Sequence, residues 1–404
     1  YNIAFKLVTI LGSLILPVTL YFFGKLLRFE YPYPEFASIG AMAFLYMDSY
    51  KIYGGNFLGT FAGEFSYSIS FGLIFLFLAT LYRGIEREKF DWLFTINCIL
   101  LMCIVLSHLI TVIALLLIVP GLFLMKPKLK CAGYIIAVFA VGFLLSSFWC
   151  VPFLAFIKWT PTMKWTNIKN FRELLPVEII PALFVGVVGA FFSVLKKDKK
   201  ITPILWTIIV FVSFFFTWRG GRLYNARFLP FIFIFIYLLA SYGAFQIYWI
   251  FLTGIPRNYL HQTDVLENKK NFKNNNLKNT LKFKFFRLGV SRASLNKLKG
   301  RIAKLLIFGF VPIVAFLTSG GILLANPLAP AWARHNYTGF ESKPDWELYN
   351  DLMNYLDSLP YGRVMFEFDK ELIQKFGTPR SFELIPYWTK QAGMEGLLVE
   401  SSLT

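Results

Sequence analysis

The chain has 404 residues, of which 56% are hydrophobic and 16% charged, and its mean hydropathy is +0.57. Soluble globular chains carry about 25% charged residues, so this depletion excludes an ordinary soluble domain. The net charge of +18 does not call for nucleic acid as a partner, because the excess lies in short loops between apolar runs and in one long basic loop, the positive-inside pattern of membrane proteins.

Apolar runs recur along the chain at close to the roughly 20 residues a helix needs to cross the hydrocarbon core. The period-two alternation of a β-barrel is absent, so the predicted class is an all-α polytopic membrane protein. The runs cover residues 5–26, 34–50, 65–82, 92–107, 109–125, 131–156, 179–195, 201–218, 228–252 and 305–325, about ten spans in all. The second run is short and carries Glu35 and Asp48, which suits a tilted helix or one that stops within the membrane. The fourth and fifth form a tight hairpin with His108 at its tip.

Lysines and arginines at 25–28, 83–89, 126–130, 196–200 and 254–301 alternate to one side, which the charge rule makes cytoplasmic. The other side then holds 54–64, His108, 158–178, 219–227 and the tail from 326 onward. The first run would enter from outside, so a span before Tyr1 is expected, and the sequence reads as a fragment open at both ends. The basic loop at 254–301 reads as a solvated low-complexity segment, its later part alternatively as a basic helix on anionic lipid. In the tail, residues 345–356 show helical spacing and 362–369 a strand pattern, predicting the truncated start of an extracytoplasmic α+β or β-rich domain at 326–404.

Charges on the external face run against the orientation rule and need another reason. Arg219, Arg222 and Arg227 place three guanidiniums at a membrane mouth with no acid beside them in the sequence. Guanidinium grips phosphate bidentately, which points to a lipid phosphate; anchoring to ordinary head groups or pairing with acids of other external loops is the plainer role. His108 either donates to a phosphate or a substrate hydroxyl or caps its hairpin. Glu64, after a glycine-rich connection, either serves a site or favours the N-terminus of the helix it precedes. Asp48 and Glu35 either bind a basic group or face water. Lys158, Trp159, Lys164 and Trp165 suit sugar stacking but also an interfacial belt. The four cysteines, Cys98, Cys103, Cys131 and Cys150, fall in or beside apolar runs and indicate neither a disulfide framework nor a metal cluster. Nucleotide-binding, zinc-protease and nucleophile-elbow motifs are absent.

Five pieces carry a family resemblance: Tyr1-Asn-Ile-Ala-Phe-Lys-Leu, the stretch from Gly54-Gly-Asn-Phe through Gly63-Glu-Phe-Ser-Tyr-Ser, Leu106-Ser-His-Leu-Ile-Thr, Arg222-Leu-Tyr-Asn-Ala-Arg-Phe-Leu-Pro-Phe and Phe376-Gly-Thr-Pro-Arg-Ser-Phe-Glu-Leu-Ile-Pro-Tyr. With them the chain resembles the bacterial and archaeal membrane proteins named 6-pyruvoyl-tetrahydropterin synthase-related. The fold this resemblance implies is a GT-C-like helical bundle, similar to the mycobacterial arabinofuranosyltransferase group. The pterin chemistry needs a zinc held by three histidines, whereas His108, His261 and His335 lie on different segments and sides, so that activity is not expected. The resemblance instead implies a glycosyltransferase of the plasma membrane moving a sugar from a polyprenyl-phosphate donor to an extracytoplasmic glycan acceptor. Arg222 and Arg227 would hold the donor phosphate, with Arg219 beside them. Glu64, His108 and Asp48 would line the cleft, and the tail would bind acceptor. The essential acid of such enzymes lies after their first span, which would precede Tyr1. No cofactor is certain, a divalent metal stays open, and a lipid-linked sugar transporter or a non-catalytic scaffold for envelope polysaccharide assembly are the alternatives.

Overall fold

The computed structural model describes residues 2–50, 53–159, 168, 170–218, 224–253, 329–367, 369–376, 378 and 380–395. They fall into two compact units. The first comprises residues 1–154 and 164–325 with residue 404, the second residues 155–163 and 326–403.

The first unit is helical throughout its described residues. Its helices are α1 (Asn2–Leu26), α2 (Tyr33–Leu45), α3 (Phe57–Phe61), α4 (Phe65–Arg87), α5 (Trp92–Ser107), α6 (Leu109–Met125), α7 (Leu129–Leu145), α8 (Ser147–Phe156), α9 (Ile180–Lys196), α10 (Thr202–Thr217) and α11 (Leu229–Thr253). Local chemistry sets many of these limits. Asp91 caps α5 by accepting from the Leu93 amide, proline stands in the first turn of α2, α9 and α10, and Glu88 and Lys197 end α4 and α9 in the left-handed region at φ 53° and 49°.

Among the described residues, five helices are long and apolar enough to cross a membrane, and a sixth is obtained if α7 and α8 count as one span. The chain is therefore a multi-pass helical protein. Two details differ from the sequence expectation. Residues 131–156 do not form one rod, since the axis turns 79° at Ser146, whose hydroxyl bonds back to Gly142 and Phe143 and draws the carbonyls of the last turn outward. The second run yields only 13 helical residues, because Tyr46–Tyr50 leave the helix to feed the turn before α3. The expected run at 305–325 and the basic loop at 254–301 lie outside the described residues.

Packing orders the helices in layers around α4 and α11, which are the most buried spans, at 67% and 83% of their apolar windows. Phenylalanine joins them. Phe71 meets Phe231 edge-on with centroids 4.9 Å apart, and Phe75 meets Phe235 at 5.8 Å. Around this centre, bare backbone allows two close crossings. A Cβ on Gly12 of α1 would lie 2.3 Å from the Ser68 carbonyl carbon of α4, and one on Gly243 of α11 would lie 2.0 Å from the Val185 oxygen of α9. The far side of α9 is a stripe of exposed Phe184, Val187, Phe191 and Val194, suited to acyl chains.

The lysine- and arginine-rich turns meet at one end of this unit. Arg28 and Arg83 share Glu86, and Lys126 and Lys128 share Glu88, whose carboxyl the Lys126 hydrogen bond holds below its usual range. Lys200 donates to the Arg28 carbonyl and Tyr242 to Asp198. This end is called the basic end below.

The second unit has a small aromatic core of Tyr349, Met353, Leu356, Leu372, Phe376 and Ile385. It contains α12 (Ala331–Tyr337), α13 (Trp346–Ser358), β1 (Arg363–Phe366), α14 (Leu372–Phe376), α15 (Ile385–Trp388) and β2 (Ala392–Glu395). The predicted helix and strand are present as α13 and β1. The strands pair parallel, Arg363 opposite Ala392, and Gln391 ties them to the end of α13 by donating to the carbonyls of Leu356, Leu359 and Pro360. The order is mixed α and β, and only these two strands occur among the described residues.

Two predictions test this packing and its orientation. Gly243→Ala should lower thermal stability by about 1–3 kcal/mol of overpacking, since backbone blocks the new methyl, while Gly133→Ala on α7, with nothing within 4 Å, should be neutral or stabilising. In a cysteine-free background, a cysteine at Lys197 should resist an impermeant thiol reagent in intact cells and one at Glu173 should react; the reverse pattern would invert the orientation.

Candidate functional site

The end opposite the basic end begins with an asparagine. Asn56 caps α3 through its Oδ1, which accepts from the Gly59 amide, while its Nδ2 donates to the carbonyls of Met47 and Tyr50 at 2.7 and 2.9 Å. One buried side chain thereby closes the whole turn between α2 and α3. The two glycines before it stand at φ 93° and 84°, which side chains rarely adopt, and a Cβ on Gly54 would meet the Tyr67 ring at 2.6 Å. Hydroxyls continue the clasp: Thr60 donates to the Asn56 carbonyl, its oxygen lies 2.7 Å from that of Ser68, and the Ser68 hydroxyl reaches the Glu64 carbonyl. The start of α4 is therefore held by backbone and short polar groups, and the Glu64 side chain is left to face elsewhere.

It faces Arg227. The Glu64 Oε2 lies 2.5 Å from Arg227 Nη1, with the two side chains 17% and 7% exposed. The approach is charge to charge, because Nη1 has no hydrogen bond of good geometry. Arg227 is placed by the short helical turn Asn225–Phe228 ahead of α11. Asn225 fixes that turn, donating to the carbonyls of Ile168 and Phe215 while accepting from the Ile168 amide, and Tyr67 donates to the Arg227 carbonyl at 2.8 Å.

His108 completes the cluster. It is the joint of the α5–α6 hairpin, extended at φ −160°, and Thr111 donates to its carbonyl while meeting Ser70. Its ring stands edge-on to Tyr67 with centroids 5.1 Å apart. Both ring nitrogens are buried, without a hydrogen-bond partner among the described residues. Burial, with the Arg227 charge in second place, holds this imidazole below its usual pKa and so neutral.

A cleft of about 610 Å³ opens in the same unit, lined by Tyr50, Tyr53, Arg172, Glu173, Glu178 and Phe233 among others. Tyr50 and Tyr53 stack at 5.4 Å, and Tyr53 donates to the Glu173 carboxylate at 3.5 Å. Tyr224, edge-on to Tyr53 and three residues before Arg227, connects cleft and ion pair.

The structure thus brings together Glu64, His108 and Arg227 from three distant segments. It corrects one premise: Arg227 does have a neutralising acid, because the turn after α3 carries Glu64 across to it. Asp48 is exposed in the α2–α3 turn, and Glu35 is half-buried at the start of α2. Arg219, Arg222, Lys164 and Trp165 lie outside the described residues, and Lys158 stands over the Trp159 ring at 5.3 Å. Arg172, Glu173 and Glu178 escaped the sequence reading, although the rule that flags charges on the external face applies to them equally. No cluster of three or more metal-ligating side chains occurs among the described residues, and His108 and His335 are on separate units.

The ion pair makes a stability prediction. Arg227→Met should destabilise the protein by about 1–3 kcal/mol, because a largely buried carboxylate loses its countercharge and must turn toward water. Adding Glu64→Gln should restore most of the loss in thermal denaturation of the detergent-solubilised protein. Equal melting points for parent and Arg227→Met would show the pair to be solvated.

No curated protein and no solved structure matches the chain. A family model does, over residues 1–254, described as a 6-pyruvoyl-tetrahydropterin synthase related domain of a membrane protein. That span takes in α1 to α11 and the whole Glu64–Arg227 cluster, and the chain belongs to the 6-pyruvoyl-tetrahydropterin synthase-related membrane protein family.

Proposed function

We propose that the protein is a GT-C-type glycosyltransferase that moves a sugar from a polyprenyl-phosphate donor to an extracytoplasmic glycan acceptor. The observation that carries this reading is the composition of the cleft. Half-buried Tyr53, backed by the buried Tyr50, offers a ring to a sugar, Glu173 and Glu178 offer acceptors to its hydroxyls, and Arg172 offers a charge to phosphate. The apolar flanks of the bundle suit a prenyl tail, so one molecule with a sugar, a phosphate and a lipid finds matching surfaces. In this reading Arg227, with Arg222 and Arg219, serves the donor phosphate, the cleft end is extracytoplasmic, and the second unit meets the acceptor.

One observation favours a second reading. The 79° break at Ser146 is the kind of interrupted helix that lipid-linked sugar transporters use to build a path. The two readings separate on the fate of the donor. With the protein in nanodiscs, a transferase cleaves labelled polyprenyl-phosphate sugar and labels an envelope glycan; a transporter leaves it intact and moves it between leaflets in liposomes. For a transferase, Glu173→Gln should weaken donor binding about tenfold to a hundredfold, the worth of one charge-assisted hydrogen bond. Intact donor together with unchanged binding in Glu173→Gln would remove the proposal.

A further inference from the structure

The ion pair raises a question that the cleft does not answer. An arginine meant to grip phosphate is already neutralised, and its guanidinium is nearly enclosed. We propose that Glu64 is a stand-in for the donor phosphate: it occupies Arg227 while the site is free and yields the guanidinium when the donor's phosphodiester arrives. This rests on the reading of the donor as a lipid phosphate.

Three features of the geometry support exchange over a fixed structural pair. The first is the quality of the contact. A carboxylate held permanently by arginine usually takes two parallel N–H bonds in the plane of the fork. Glu64 approaches Nη1 at 2.5 Å without an aligned hydrogen bond, so the attraction is mainly charge, which a phosphate oxygen supplies equally well.

The second is His108. A neutral imidazole carries one donor and one acceptor, and leaving both buried and unpaired is costly. Here both nitrogens lack a partner, with the ring against Tyr67, whose own hydroxyl is spent on the Arg227 carbonyl. Glu64 satisfies neither nitrogen. The donor's phosphodiester presents two non-bridging oxygens, one to take a hydrogen bond from the imidazole N–H and one to hold the guanidinium, so it pairs a group that the carboxylate leaves alone.

The third is the freedom of Glu64. It is the more exposed member of the pair, and it follows Gly63, which stands at φ 108° with nothing within 4 Å of where a Cβ would project. Its backbone is clasped by Ser68, so the helix start stays in place while the side chain swings into water. The carboxylate then recovers its hydration, which offsets part of the desolvation of the incoming phosphate.

A structural pair and an exchangeable one predict opposite signs. If Glu64 competes with phosphate, Glu64→Gln tightens binding; if Glu64 merely orients Arg227, the same change weakens it. The probe is a polyprenyl monophosphate titrated into the full-length protein in nanodiscs, with the uncharged polyprenol as control. The expected result is that Glu64→Gln binds the phosphate about tenfold more tightly than the parent, a difference of one decade in Kd, with polyprenol unchanged, and that the lipid raises the melting temperature of the variant by more than that of the parent. Glu64→Asp, which keeps the charge but retracts it by one methylene, gives an intermediate gain and serves if Glu64→Gln does not fold. A parent that binds the monophosphate while both variants bind it equally or more weakly overturns the exchange and leaves the donor reading standing. Absence of binding by parent and variants alike overturns the donor reading and the exchange with it.

Discussion

A charge that has left water must be met by another, and in this bundle that requirement falls on Arg227. Its partner Glu64 begins α4 while Arg227 precedes α11, and these are the two helices around which the rest pack. The pair therefore joins the outer ends of the central elements, and Tyr67 adds a neutral bond between the same two segments. The turn between α2 and α3, the His108 joint and the loop reaching Asn225 are all arranged about it. The hydrophobic core of the unit is filled by leucine, isoleucine and phenylalanine.

The two ends use charge differently. At the basic end, acids are shared between cations on exposed turns, Glu86 by two arginines and Glu88 by two lysines, and each contact is screened by water. Such pairs stitch turns together without demanding exact placement. At the opposite end the Glu64–Arg227 pair is nearly closed off, and the hydrogen bonds around it go to backbone: Asn56 to Met47 and Tyr50, Asn225 to Ile168 and Phe215. Side chains that satisfy backbone carbonyls allow irregular chain within a low-dielectric bundle, and irregular chain is what places a cleft there.

Much of the scaffold was legible because a membrane span is a local property. Any stretch such as 5–26 or 65–82 that is apolar over some 20 residues must form a helix in lipid, whatever its neighbours do, since nothing else satisfies its backbone. The turns were legible for a similar reason: the basic clusters at 83–89, 126–130 and 196–200 mark helix ends through their own chemistry. The same logic singled out Glu64, His108 and Arg227 as charged or titratable groups in unusual places, each on its own segment.

What composition cannot express is which distant segments meet. Residues 131–156 are apolar throughout, so only the packed structure shows that a serine bonding to its own helix bends them by 79°. Arg172, Glu173 and Glu178 look like ordinary loop charges until Tyr50, Tyr53 and Phe233 close a cleft around them. Arg227 seemed to lack a counterion because its acid stands far away in the chain, and the sequence order of charges carries no information about approach through space. The sequence by itself determined that this is a helical membrane protein of its family and roughly where its helices run, since those follow from hydropathy and local motifs. The tertiary structure decided that Glu64 rather than water faces Arg227, because that depends on how two helices far apart in sequence are brought side by side at their ends.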